Sequence, residues 1–118
     1  LNIDPAQPVM PISTPDDYSA ELAAATGRFY TQEMPEDTKV LSAGIFSRDE
    51  FLQQARLTAD QYFEQYRYVL GTFENGLLFY YFGNLDQTSH MLMKTLDPGH
   101  PAYDEKVDER YGHVIEDL

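Results

Sequence analysis

The 118-residue sequence predicts an α/β fragment that is mostly helical and contains one apolar core strand at about residues 77–82, which leads into a site loop and a helix. Two patterns favour this class. Residues 48–73 repeat apolar side chains at helical spacing, and residues 77–82 form a continuous apolar and aromatic run, typical of a strand buried on both faces. Because the sequence contains no second convincing strand, either this run is not a central strand or its partner strands lie outside this chain, and we expect the second.

The N-terminal region predicts an arm followed by short helices. Four of the seven prolines fall within residues 1–15, and proline lacks an N–H donor and fixes φ, so this stretch is expected to be extended or looped. A helix is expected to begin near Pro15, with Thr14 as its N-cap, and to end at Gly27. A short helical turn is expected after Asp37.

The clearest predicted element is a helix over residues 48–73. Ser47 and Glu50 have the spacing of a capping box, which satisfies the first free N–H groups of a helix. Apolar residues from Phe51 to Phe73 then form one broad stripe, and such a stripe is typical of a core or an interface rather than a ligand site.

The C-terminal part is predicted to contain the site. After the strand, Gly83 and Asn84 are expected to end the extended run, and helices are expected at residues 87–96 and from Tyr103 to the end of the chain. We therefore expect two regions. Residues 1–75 form a mostly helical insertion or cap with a proline-rich arm, and residues 76–118 form a strand–site–helix piece of an α/β core.

Composition excludes several functions. The chain has 8 Lys and Arg against 20 Asp and Glu, a net charge of 8 − 20 = −12, which disfavours a surface for nucleic-acid phosphates. It has no Cys, which excludes disulfides and thiolate metal sites. Apolar residues make up 42% of the chain, too many for a disordered acidic tail, and no apolar run reaches the roughly 18 residues of a transmembrane helix.

Asp86 and His90 are the candidate metal ligands. They are four positions apart, so a helix places a carboxylate and an imidazole on one face, and both groups bind divalent metals such as Zn²⁺. They directly follow the predicted strand, where ligands bind in open α/β sheets. His100 or His113 could supply a third ligand. The alternative is that Asp86 caps the following helix and His90 is a surface histidine. Three acidic pairs are expected to be solvated or to lie at helix starts: residues 16–17, 36–37 and 116–117.

Residues 77–93 read LLFYYFGNLDQTSHMLM, an apolar strand that leads into an Asp-x-x-x-His element. The flanking segments PDDYSAEL at residues 15–22, EMP at 33–35 and LDPGHP at 96–101 are similar to the same proteins. With these segments the chain resembles the alkaline phosphatase superfamily, in particular its type I phosphodiesterase/nucleotide pyrophosphatase branch. The resemblance covers most of the chain, although only the Asp/His element carries a chemical motif.

The resemblance implies a metal-dependent phosphodiesterase or phosphatase-like hydrolase of phosphate esters. Such enzymes bind two metal ions, usually zinc, and form a phospho-enzyme on a Thr or Ser. Asp86 and His90 would be ligands of one of these ions. The nucleophile and the remaining ligands of the family have no match in this chain, so the resemblance implies an internal fragment that is inactive alone and whose metal site is incomplete.

An alternative function follows from the residues themselves. The aromatic-rich helix and the unpaired apolar strand would both offer surface to another chain. The chain would then be a non-catalytic interaction module that forms a homo-oligomer through its exposed apolar surface, with no metal at Asp86 or His90.

Overall fold

The computed structural model describes residues 2–32, 34–92, 97–116 and 118. Within these ranges the regular secondary structure consists of helices, which turns and loops connect. In chain order the helices are α1 (Tyr18–Thr26), α2 (Thr38–Ser42), α3 (Arg48–Thr72), α4 (Gly83–Leu92) and α5 (Glu105–Tyr111). No β-strand occurs within these ranges. The predicted α/β class, with its part of a parallel sheet, is therefore wrong.

The apolar run at residues 77–82 is the element that misled the fold prediction. A continuous apolar run predicts burial on both faces, but Leu77 and Phe79 are exposed whereas Leu78 and Tyr80 are half-buried. This alternation has the two-residue period of an extended chain with one covered face. A strand also needs neighbouring strands for its backbone hydrogen bonds, and no other described segment provides one.

The long helix α3 confirms the predicted helix and the capping box. Its apolar stripe is buried at Phe51, Ala55 and Ala59, whereas Leu70 near its end is exposed. It spans Arg48–Thr72, close to the predicted residues 48–73. The Ser47 N–H donates to Glu50 Oε2 at 2.8 Å, and the Glu50 N–H donates to Ser47 Oγ at 3.2 Å, so each residue satisfies a free donor of the other. Among the described helices none is both long and apolar enough to cross a membrane, as predicted.

The helices near the N-terminus also follow local sequence signals. Gly27 ends α1 with a φ of 86°, a conformation that favours glycine, and its N–H donates to the carbonyl of Ala23. The Asp37 side chain accepts a hydrogen bond from the Val40 N–H at 3.0 Å and caps α2. The start of α1 is Tyr18 rather than Pro15, and its N-cap is Asp17 rather than Thr14.

The helix after the apolar run begins earlier than predicted. Gly83 and Asn84, expected to end a strand, form the first turn of α4. Asp86 therefore lies inside the helix, and the alternative that it caps a helix at residues 87–96 is wrong. Residues 93–96 of that predicted helix lie outside the described residues. The last helix ends at Tyr111, and turns follow it.

The chain forms two compact units. Unit 1 consists of Leu1–Pro35 and Asp60–Tyr81, and unit 2 consists of Glu36–Ala59 and Phe82–Leu118. Each unit thus combines two separate stretches of chain, and the predicted regions 1–75 and 76–118 stay a prediction. The core of unit 2 contains Phe51, Leu92, Val107, Tyr111 and Val114. Val107, Tyr111 and Val114 are four and three positions apart, a helical spacing, within the segment predicted as a helix from Tyr103 onward.

Candidate functional site

Asp86 and His90 lie one turn apart on an exposed face of α4. His90 Nε2 is 3.5 Å from Asp86 Oδ1, and 78% of the His90 side chain and 47% of the Asp86 side chain are exposed. The four-residue spacing thus places a carboxylate and an imidazole within reach of one ion. This geometry is compatible with two ligands of one metal ion, and the assignment of Asp86 and His90 as metal ligands stays a prediction.

The other two histidines have local contacts of their own. His100 Nδ1 accepts a hydrogen bond from the Ala102 N–H at 3.0 Å, and His113 Nδ1 lies 3.4 Å from Glu116 Oε1. Within the described ranges, no three His, Asp or Glu side chains gather as a metal site. Catalytic zinc usually has three protein ligands, so the Asp86–His90 pair would need a further ligand.

A second polar feature is buried within unit 2. Glu36 is 4% exposed, Asn84 1% and Thr88 0%. Asn84, Gln87 and Thr88 share one face of α4, and Gln87 Nε2 donates to the Glu36 carbonyl at 3.2 Å. These four residues form what we term the Glu36 cluster. Both Glu36 carboxylate oxygens, Asn84 Oδ1, Gln87 Oε1 and Thr88 Oγ1 have no hydrogen-bond partner among the described residues.

Burial raises the pKa of the Glu36 carboxyl above its ordinary value, and the nearby backbone N–H of Glu36 itself opposes this change only in part. The pair Glu36-Asp37 lies at the start of α2, as one of the two expectations had it, but the Glu36 side chain is buried rather than solvated. A Glu-Asp pair before a short helix has the sequence pattern of a helix N-terminus, so no local signal distinguishes the buried Glu36 from the exposed Asp37. Asp16, Asp17 and Glu116 are exposed as predicted, and Asp117 lies outside the described residues.

A polar network joins the start of α3 to α5 in unit 2. Asp49 Oδ1 accepts hydrogen bonds from the Tyr111 hydroxyl at 2.6 Å and from Arg110 Nε at 3.1 Å. Arg110 also contacts Asp49 through a second nitrogen. The Tyr111 hydrogen bond lowers the pKa of Asp49, and the Arg110 charge adds to this effect. The network ties together the two helices that supply most of the unit 2 core.

In unit 1, residues 77–81 lie against α3 on one side, and we term these residues the apolar segment. The Tyr80 hydroxyl lies 3.0 Å from the Tyr62 carbonyl, to which it donates, and 3.2 Å from Gln65 Oε1. The Tyr80 and Tyr66 rings pack with their centroids 5.3 Å apart. Burial raises the pKa of Tyr80 to about 12. Tyr80 therefore anchors the apolar segment to the second half of α3.

The other side of the apolar segment is open to solvent. Leu77 is 94% exposed, Phe79 84% and Tyr81 45%. On the preceding part of unit 1, Leu70 is 51% exposed and Phe73 39%. Exposed apolar residues that occur singly are normal, but a run of large ones marks an interaction surface.

Unit 1 also contains an open groove of about 380 Å³. Its lining includes Asp4, Arg28, Tyr30 and Gln61. Arg28 pairs with Asp4 at 3.3 Å, and the Tyr30 N–H donates to Gln61 Oε1 at 3.4 Å. The polar groups of the groove are thus engaged with one another, so we take the exposed apolar segment as the candidate functional surface.

Comparisons with protein-family models, curated proteins and solved structures found no match. The resemblance to the alkaline phosphatase superfamily therefore stays a prediction, as do the zinc ions and the phosphate ester substrate that it implies. Of the site residues predicted from sequence, the structure brings Asp86 and His90 together. It adds the buried Glu36 cluster, which the sequence did not single out, and it exposes one face of the apolar run that the alternative function had named as a surface for another chain.

Proposed function

We propose that this chain is a non-catalytic protein-interaction module that binds another protein chain through the apolar segment of unit 1. The observation that carries the proposal is the exposure of Leu77 (94%) and Phe79 (84%) within one short run. Covering two such side chains removes apolar surface from water, which favours association by about 1.5–3 kcal/mol for each side chain that becomes fully buried.

The anchoring of the apolar segment supports the same proposal. Because the ring and hydroxyl of Tyr80 are held against α3, the segment is positioned before a partner arrives. A positioned surface loses less conformational entropy on binding than a free chain does. The exposed side chains Leu70 and Phe73 extend the apolar character of this part of unit 1.

The test compares two double variants of the chain. Leu77→Ser with Phe79→Ser removes the exposed apolar side chains of the segment, and Val9→Ser with Met10→Ser is the matched control, because Val9 is 88% exposed and Met10 58%. Each protein is titrated with fluorescent, extended apolar peptides of acidic, neutral and basic charge, and its self-association is measured by sedimentation.

We expect the wild type to bind at least one of these peptides, or a second copy of itself, with a dissociation constant below about 100 μM. The segment variant should lose this binding at least about tenfold, and the control should keep it. If the wild type binds no peptide and stays monomeric, or if the segment variant binds as the wild type does, the proposal is wrong.

A second candidate function is favoured by the Asp86–His90 pair. The 3.5 Å approach of its two side chains suits ligands of one zinc ion in a phosphoester hydrolase of which this chain would be a part. Titration of the chain with Zn²⁺ tests it, with Asp86→Ala and His90→Ala as variants and His100→Ala as control. Zinc binding that both variants lose and the control keeps would support this candidate, whereas equal binding by all four proteins would refute it.

A further inference from the structure

Within the apolar segment, the backbone of residues 77–79 is open, as are the side chains of Leu77 and Phe79. Leu77, Leu78 and Phe79 make no backbone hydrogen bond to any residue that the structure describes. Among the described residues nothing satisfies the N–H and C=O groups of these three residues, so they are available to solvent or to another chain. An extended chain with available donors and acceptors is a template for an added strand.

The side chains of the segment favour the same mode of binding. In an extended chain alternate residues point to opposite faces, and here Tyr80 is fixed against α3 while Leu77 and Phe79 point away from it. A partner strand laid beside the segment would place its own alternate residues next to Leu77 and Phe79. Cross-strand apolar pairs of this kind each stabilise strand pairing.

The charge of this part of unit 1 selects among partners. Residues 60–81 contain three acids, Asp60, Glu64 and Glu74, and one base, Arg67, a net charge of −2. Arg67 already pairs with Glu64 at 2.6 Å, so Asp60 and Glu74 supply the excess, and both are exposed. A second copy of the chain has the same acidic surface and a total charge of −12, so it would repel the first copy. Lys or Arg side chains of a different partner would complement the acidic surface.

Resting on the proposed function, we propose that the apolar segment binds an extended, basic stretch of a different protein as an added β-strand. The backbone of Leu77, Leu78 and Phe79 hydrogen-bonds to the backbone of that stretch. Its apolar residues cover Leu77 and Phe79, and its interleaved Lys or Arg residues lie near the carboxylates of Asp60 and Glu74. The partner is thus recognised by alternating apolar and basic residues rather than by a single anchor side chain.

The experiment uses three capped, fluorescent eight-residue peptides and the full chain. The first peptide alternates Val and Lys, the second alternates Val and Glu, and the third is the Val/Lys peptide with its backbone N-methylated at alternate residues. Binding is followed by fluorescence anisotropy, and the amide NMR signals of Leu77, Leu78 and Phe79 are followed in the same titrations.

We expect the Val/Lys peptide to bind roughly tenfold or more tightly than the Val/Glu peptide, and to weaken as salt increases because the charges are screened. N-methylation keeps side chains and charge but removes backbone donors, so the third peptide should lose most of the affinity. The amide signals of Leu77, Leu78 and Phe79 should shift on binding the first peptide. The Asp60→Asn, Glu74→Gln variant should reduce the preference for the basic peptide.

The outcomes separate this inference from the proposed function. Equal binding of the Val/Lys and Val/Glu peptides, or full affinity of the N-methylated peptide, would overturn the inference. The proposed function would still stand in either case if binding depends on Leu77 and Phe79. Self-association in preference to peptide binding would likewise overturn the inference alone. If the Leu77→Ser, Phe79→Ser variant keeps both peptide binding and self-association, the inference and the proposed function are both refuted.

Discussion

The two compact units differ in the solvent exposure of their large apolar side chains. In unit 2, Phe51 is 0% exposed and Leu92 is 1% exposed, and both belong to one buried core. In the described part of unit 1, the buried apolar residues are Leu22 and Ala23, whereas Leu77 and Phe79 are almost fully exposed. Unit 2 gathers large apolar residues in one buried core, although Ile45 and Leu57 are exposed, whereas unit 1 exposes Leu77 and Phe79 within one short run.

This difference separates two uses of the same residue types. The buried residues of unit 2 stabilise the fold, because burying a large apolar side chain contributes roughly 1.5–3 kcal/mol. The exposed residues of unit 1 contribute little to folding and can stabilise a complex instead. Unit 1 exposes apolar side chains, whereas unit 2 buries a charged one. The Glu36 carboxylate of unit 2 has no hydrogen-bond partner among the described residues.

The largest expected effect compares one phenylalanine from each unit. Phe51→Ala should lower the free energy of unfolding by about 3–5 kcal/mol, because it removes a fully buried ring and leaves a cavity. Phe79→Ala should change it by no more than about 0.5 kcal/mol, because that ring is 84% exposed. Urea denaturation followed by circular dichroism measures both values. Similar losses for the two variants would contradict the distinction between the units.

A smaller effect is expected at Glu36, and it depends on pH. Burial raises the pKa of folded Glu36 above its ordinary value of 4.5. Below that value the residue is protonated in both the folded and unfolded states and costs nothing. As pH rises, the unfolded state loses its proton first, and stability falls until pH exceeds the raised pKa. Glu36→Gln should therefore stabilise the chain near pH 7, by about 1 kcal/mol, and leave it unchanged near pH 4.

The control for this prediction is Glu109→Gln, because Glu109 is exposed in the same unit. Thermal unfolding of both variants and the wild type between about pH 4 and pH 8 shows whether Glu36 alone carries the dependence. A Glu36→Gln variant that loses stability equally at all pH values would show that the carboxyl group has a favourable partner in the folded protein.

An effect of similar size is expected at the start of α3 in unit 2. Ser47→Ala removes the side-chain acceptor for the Glu50 N–H and should cost about 1 kcal/mol of unfolding free energy. Ser42→Ala is the matched control, since Ser42 is exposed at the end of α2 and should tolerate the change. The urea midpoints of the two variants give the comparison, and equal midpoints would mean that the capping box contributes nothing measurable.

Local signals in the sequence predicted several elements correctly. Ser47 and Glu50 marked the start of α3, Gly27 marked the end of α1, and Asp37 marked the start of α2, because each of these roles depends on hydrogen bonds or φ values within a few residues. The spacing of Asp86 and His90 was readable for the same reason, since a helix fixes the neighbours at four residues.

Features that depend on distant contacts could not be read in this way. The run at residues 77–82 has the composition of a buried strand, but whether it pairs depends on strands that no described segment of this chain supplies. Glu36 is buried where its carbonyl accepts a hydrogen bond from Gln87, which lies 51 residues away in sequence. No local pattern reports such a contact.

The sequence by itself determined the acidic charge and where most helices begin or end. It also determined that Asp86 and His90 lie one turn apart on α4. It did so because capping, glycine conformation and helical spacing are local properties. The tertiary structure alone decided which apolar residues are covered and which acid is buried. Solvent exposure depends on what packs against a residue, so Phe51 and Phe79 differ only once the chain has folded.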